Sequence, residues 1–175
     1  GHYWTDGQTL TAAIGQSYSE FTPLQLANYI ATLAGGGTRY NAHLLKNVKA
    51  YDSSSLIAAY DEPAAEIVSI EPQNLKAVLD GMHELVLSGS VSSYFKDCVV
   101  DAAAKTGTAQ TGSKVSNGVF VAFAPYDDPQ IALAVVIEKG GSGGALATTA
   151  VQILNSYFTS ADAGKTIAGE NTLLK

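Results

Sequence analysis

An α/β fold of the α+β type, a mainly antiparallel sheet packed by helices, is the architecture this sequence predicts, and three observations carry it. Residues 102–109, 118–124 and 131–137 are consecutive extended runs joined by turns rich in Gly, Ser, Asn, Asp and Pro. Thr22-Pro23 and Pro72 each open a segment whose apolar residues recur at helical spacing. A third such segment follows the glycine-rich stretch 140–144 and suits packing across the sheet.

Taken in order, Thr22-Pro23-Leu24-Gln25 combines a hydroxyl N-cap, a proline at the first helical position and a glutamine at the third. Leu26, Ile30 and Leu33 follow on one face, so a helix is expected over 23–34, stopped by Gly35-Gly36-Gly37. Residues 38–70 are mixed. Leu44-Leu45 with Val48 suggest one short strand and Ile67-Val68 another, with Asp52-Ser53-Ser54-Ser55 as a turn between. Pro72 opens a second helix whose stripe is Leu75, Val78, Leu79, Met82, Leu85 and Val86, closed by Gly89.

Of the three main strands, the latter two are apolar at nearly every position and read as central strands covered on both faces, whereas Lys105, Thr106 and Thr108 suit an exposed edge. The final helix carries Leu146, Ala150, Ile153, Leu154, Tyr157 and Phe158 at helical spacing. Residues 159–175 are small and polar and read as a disordered tail.

Composition narrows the function classes. The 175 residues suffice for one domain with a core, and 46% hydrophobic with 15% charged is globular. The net charge is −6 and no Lys/Arg cluster or basic helix face is present, which argues against nucleic acid or an anionic membrane surface as a partner. Cys98 is the only cysteine, so an internal disulfide and a cysteine-rich metal site are excluded, and a buried structural thiol is the expectation. No apolar run approaches the ~18 residues of a membrane span. The start Gly1-His2-Tyr3-Trp4 has no basic region followed by an apolar stretch, and beginning without Met it reads as a piece cut downstream of an anchor.

The chemistry concentrates in Ala104-Lys105-Thr106-Gly107-Thr108-Ala109-Gln110. A cation, two hydroxyls and a glycine on one extended segment can hold a peptide carboxylate, and an extended peptide can add beside an exposed strand through main-chain hydrogen bonds. Two long blocks then carry a family resemblance. Ala13-Ile14-Gly15-Gln16-Ser17, leading into Thr22-Pro23-Leu24-Gln25-Leu26-Ala27 and Gly35-Gly36-Gly37, resembles a helix of class B penicillin-binding proteins. Residues 104–110, with Asn117-Gly118-Val119-Phe120-Val121-Ala122-Phe123-Ala124-Pro125, resemble their active-site strand and its neighbour. Together with the glycine-rich loop and final helix, the resemblance spans most of residues 5–158.

The resemblance implies the penicillin-binding/serine β-lactamase-like transpeptidase fold, with residues 1–158 as the C-terminal portion of that domain. It implies a peptidoglycan D,D-transpeptidase anchored at the extracytoplasmic face of the bacterial cytoplasmic membrane. There a serine attacks the penultimate D-Ala carbonyl of a stem peptide, releases the last D-Ala and passes the acyl group to an amine; β-lactams acylate the same serine. Lys105, Thr106, Gly107 and Thr108 are the implied substrate-binding residues, with the Thr108 backbone N–H as one oxyanion-hole donor. Stem peptides, β-lactams, the rest of the same domain and a cell-wall synthesis complex are the implied partners, without cofactor or metal. This sequence departs from the family pattern in two motifs. None of its seven Asn residues has Ser or Tyr two positions before it, and its one Ser-x-x-Lys match is Ser93-Tyr94-Phe95-Lys96. The intact parent is therefore expected to carry the nucleophile outside this chain, and the chain alone is expected to be inactive.

Ser93 is twelve residues from Lys105, and a strand rising ~3.3 Å per residue carries Lys105 away from it, so a helix-capping serine beside an aromatic core pair is the expected role. Gly107 to Lys114 resembles a phosphate loop, but its Lys and Ser are in the wrong order and a strand follows. His2, His43 and His83 have no ligand spacing and are expected in surface or capping roles. The nine Tyr residues are expected to pack in the core and at its rim. Competing readings are a D,D-carboxypeptidase or serine β-lactamase, a non-catalytic β-lactam sensor or peptide-binding module of the same fold, and a structural interaction domain.

Overall fold

A computed structural model describes residues 3–16, 19–60, 64–110 and 115–164. Helix α1 (Asp6–Ala13) opens with a capping box in which Thr5 N–H donates to Gln8 Oε1 at 2.7 Å and Gln8 N–H donates to the Thr5 hydroxyl at 3.4 Å. It buries no residue, which is why periodicity gave no sign of it and only Thr5-x-x-Gln8 could have. Helix α2 (Pro23–Ala34) starts as the sequence predicts: Gln25 N–H donates to Thr22 Oγ1 at 3.2 Å and Thr22 N–H donates to Gln25 Oε1 at 2.9 Å. Gly35 caps its end.

Residues 38–67 form two small antiparallel pairs: the expected strands at Val48 and Ile67 are present, shifted in their bounds, and each gains a partner strand that the sequence did not announce. Strand β1 (Thr38–Tyr40) pairs with β4 (Ala64–Ile67), and β2 (Asn47–Lys49) pairs with β3 (Leu56–Ala59). The turn at Asp52 to Ser55 closes the β2–β3 hairpin, with Asp52 Oδ1 accepting from Ser54 N–H at 3.0 Å and from the Ser54 hydroxyl at 2.6 Å. These hydrogen bonds hold the Asp52 carboxyl below its usual pKa. Leu44-Leu45 and Val68 lie outside the strands, and three- and four-residue strands with mostly exposed side chains leave almost no alternation to read.

Helix α3 (Pro72–Leu87) and the short α4 (Ser92–Phe95) lead into the main sheet, β5 (Ala103–Ala109), β6 (Asn117–Ala124) and β7 (Ile131–Ile137). Both ladders are antiparallel and the spatial order is β5-β6-β7. A 3₁₀ turn at Gly143–Leu146 then feeds α5 (Ala147–Gly164). That helix runs past the expected start of the polar tail at 159, and residues 165–175 lie outside those described.

Two cores sandwich the sheet. Phe120, Ala122 and Ala124 of β6 pack with Ala102, Ala104, Leu146, Ala147, Ala150 and Leu154 on one face. Val121 and Phe123 pack with Ala103, Ile30, Leu33 and Met82 on the other. The period-two alternation of β6 therefore divides one apolar run between two helical layers. β6 is thus covered on both faces by helices of this chain, as its apolar run predicts. Among the described residues β7 pairs with β6 alone, and both of its faces are used: Ile131, Leu133 and Val135 serve the α5 side while Ala132 and Ala134 serve the α2 side. Val78, Ile153 and Tyr157, expected on buried stripes, are exposed, and seven of the nine tyrosines sit at the surface at 42% exposure or more.

Elsewhere the apolar surface is extensive. Trp4, Leu10, Ile14, Leu44, Tyr51 and Ile57 are among the exposed side chains, all on or flanking α1 or around the two small strand pairs. The isolated chain is expected to self-associate through these surfaces. Sedimentation with an apolar dye checks this: a strictly monomeric, cooperatively melting chain that binds no dye would contradict it.

Candidate active site

Edge position and strand alternation together build the site. Among the described residues β5 is bonded to β6 on one side only, in the register Lys105↔Val121, Thr106↔Phe120, Gly107↔Val119 and Thr108↔Gly118. The Thr106 carbonyl accepts from Lys105 Nζ at 2.7 Å and the Thr108 carbonyl from Gln16 Nε2 at 3.3 Å, so both oxygens are directed away from β6. In an antiparallel strand a residue turns its N–H and C=O the same way, so the Thr106 and Thr108 N–H groups also face the open edge. Lys105 and Thr108 are exposed, whereas Thr106 and Gly107 are partly buried.

The glycine-rich loop is fastened across β5 and β6 beside this edge. Gly143 N–H donates to the Thr108 hydroxyl at 3.4 Å, Gly141 N–H donates to the Ser116 carbonyl at 2.9 Å, and Lys139 N–H donates to Asn117 Oδ1 at 2.9 Å. Ser142 caps the 3₁₀ turn by accepting from Gly144 N–H at 3.3 Å. Gly143 is buried against the two strands: a Cβ there would collide with the carbonyl oxygens of Gly107 and Val119 and stand 2.8 Å from Gly107 N. The loop is thus neither a bare linker nor a free flap. Gly143 sits directly on the backbone of the candidate strand.

The structure brings Lys105, Thr106, Gly107 and Thr108 together on one edge and adds Gln16 and Gly143, to which sequence reasoning gave no role. Gln16 lies in the Ala-Ile-Gly-Gln block, but its partner is 92 residues away, which no local signal reveals. Ser93 does not join them. It is the second residue of α4, exposed and not a cap, since Val91 holds the N-cap position without a side-chain bond. α4 packs against α3 and α5 through Phe95, which stacks on Phe120 at 6.3 Å.

His83 departs from its expected surface role. Its Nε2 is 2.9 Å from Asp101 Oδ1 and its ring stacks on Tyr126 at 3.9 Å, tying α3 to the segment that enters β5. Tyr126 donates its hydroxyl to Asp80 Oδ1 at 2.7 Å, which raises the phenol's pKa and, with Lys76 as the larger cause, lowers that of Asp80. Cys98 is half-buried beside the α4–α5 core, and desolvation pushes its thiol up, away from reactivity. Among the described residues no group of His, Cys, Asp and Glu could hold a metal ion. His2 and residues 111–114 of the phosphate-loop look-alike lie outside the described residues.

With this geometry in hand, comparison with known proteins decides the family. The model of the penicillin binding protein transpeptidase domain matches residues 1–156. This chain belongs to that family. The class B resemblance is borne out by similarity to penicillin-binding protein 2A of Bacillus subtilis, 34% identical over 145 residues, covering 75% of this chain and 20% of that protein. The peptidoglycan D,D-transpeptidase MrdA of Escherichia coli K12 is 31% identical over 171 residues, covering 87% of this chain and 26% of that protein. Among solved structures, Pseudomonas aeruginosa PBP2 in complex with WCK 5153 superposes at a TM-score of 0.71 with 33% identity, over 89% of this chain and 33% of that one. Penicillin-binding protein 2B of Streptococcus pneumoniae, at 24% identity and a TM-score of 0.75 over 89% of this chain and 28% of that one, shares the fold. The chain thus spans about a fifth to a quarter of the curated relatives' length. The transpeptidase-family fold is the mixed helical and antiparallel architecture that the sequence predicts.

Proposed function

We propose that this chain is the C-terminal portion of a peptidoglycan D,D-transpeptidase domain and supplies its substrate-binding strand, while the nucleophilic serine belongs to the intact parent outside these residues. One observation carries the reading: Thr106 and Thr108 turn their backbone groups to the open edge of β5 beside the Lys105 ammonium. A stem peptide adds along that edge, and the Thr106 and Thr108 hydroxyls hold its terminal carboxylate in the field of Lys105. The Thr108 N–H faces the carbonyl under attack, where such a donor contributes about 10²–10³ in rate. Acylation of the parent's serine expels the terminal D-Ala, and an amine from a neighbouring strand takes the acyl group. The parent acts at the extracytoplasmic face of the cytoplasmic membrane within a cell-wall synthesis complex. The similarity to the Escherichia coli peptidoglycan D,D-transpeptidase MrdA and a solved complex of Helicobacter pylori PBP2 with MreC support these assignments.

The chain alone is expected to form no covalent adduct with a fluorescent penicillin, because the one serine with a lysine three positions on is exposed on α4, a four-residue helix packed against α3 and α5. Intact-mass spectrometry after incubation, with the intact parent as the positive control, checks this. An adduct on Ser93 would overturn the division of labour, and an unacylated parent would overturn the transpeptidase reading.

A further inference from the structure

Two of the outward carbonyls of β5 are occupied by side-chain donors of the chain itself, Thr106 by Lys105 and Thr108 by Gln16. The end of α1 puts Gln16 there. Gly15 adopts a left-handed φ of 79°, its N–H donates to the Ala12 carbonyl at 2.9 Å, and Gln16 N–H donates to the Thr11 carbonyl at 2.9 Å. The Gln16 backbone is therefore held by α1, while its side chain alone reaches across to β5.

An edge strand with bare carbonyls invites pairing with any extended segment, and a peptide adding to β5 would place main-chain N–H donors on these same oxygens. We propose that Gln16 is a placeholder on the substrate strand: its carboxamide caps the Thr108 carbonyl in the empty site and yields it to the amide N–H of the incoming acyl donor. This rests on the reading of β5 as the substrate-binding strand. The geometry favours displacement over a permanent clamp. At 3.3 Å the bond is long for N–H···O, both of its partners are solvent-accessible, and the two backbone bonds that anchor Gln16 do not involve its side chain. Swinging the carboxamide away leaves α1 intact. An incoming strand replaces one neutral bond with several, and the cap lowers apparent affinity only by the fraction of time it is closed.

The test compares wild type with Gln16→Ala and Gln16→Met in the intact parent, the second variant keeping side-chain volume while removing the donor. The second-order rate of acylation by a fluorescent penicillin, whose acylamino N–H stands in for the peptide's, is measured alongside melting and the ¹³C shift of the Thr108 carbonyl in the ligand-free protein. Both variants are expected to be acylated about two- to tenfold faster, with unchanged melting and a displaced Thr108 resonance. Wild-type acylation with equal or slower variants overturns the placeholder role alone, since a clamp that positions the strand would slow the reaction when lost. An unmoved Thr108 resonance also overturns it. A wild-type parent that is not acylated overturns the substrate-strand reading, and this proposal with it.

Discussion

Lys105→Ala in the intact parent is expected to reduce the acylation rate by more than tenfold while leaving the melting temperature within a degree or two of wild type. The ammonium sits at the open edge of β5 and, among the described residues, bonds the neighbouring Thr106 carbonyl alone, so its removal costs the fold little. A charge-assisted hydrogen bond to a substrate carboxylate contributes about 1.5–3 kcal/mol, which corresponds to roughly 10- to 150-fold in rate. Thr108→Val, nearly isosteric, removes a carboxylate donor and the acceptor of the Gly143 N–H together, and a similar loss is expected. Acylation within twofold of wild type for both variants, with unchanged melting, would reduce Lys105 to a solvated edge lysine that blocks strand pairing.

Gly143→Ala is expected to be the most damaging single methyl addition in the glycine-rich loop. The new Cβ would collide with the backbone oxygens of Gly107 and Val119, which belong to two paired strands and cannot swing aside as a side chain would. Overpacking of this kind costs about 3 kcal/mol, or a fall of roughly 6–12 °C in melting temperature for a domain of this size. Relief requires the loop to lift from β5, which breaks the Gly143 bond to Thr108, so the parent should lose acylation as well. Gly144→Ala is the control. Its Cβ would meet only the Ser142 hydroxyl at 3.6 Å and Val91 Cγ1 at 4.0 Å, ordinary contacts, and near wild-type melting is expected. Equal melting of the two variants would mean that the loop does not press on the strand.

The sequence by itself determined the elements whose signals are local. Thr22, Pro23 and Gln25 announce α2 because a cap, a fixed φ and a reciprocal glutamine bond all fall within one turn. The uninterrupted apolar run of β6 announces a strand buried on both faces because alternate side chains must each find a cover. The Lys-Thr-Gly-Thr run was legible as an edge because lysine and threonine at those positions tolerate water. Tertiary structure decided the rest. β7 is as apolar as β6 yet pairs on one side only among the described residues, because composition reports burial of faces and says nothing of which strands bond to which edge. Periodicity gave Val78, Ile153 and Tyr157 to the core, but a helix on a twisted sheet buries a narrower stripe than its apolar residues span. α1 was silent because it buries nothing. The partners that complete the candidate site, Gln16 against Thr108 and Gly143 against Gly107, are 92 and 36 residues apart in sequence. A lone glutamine or glycine carries no local mark of a partner at that separation; only the packing of α1 and the glycine-rich loop onto the edge of β5 brings them together.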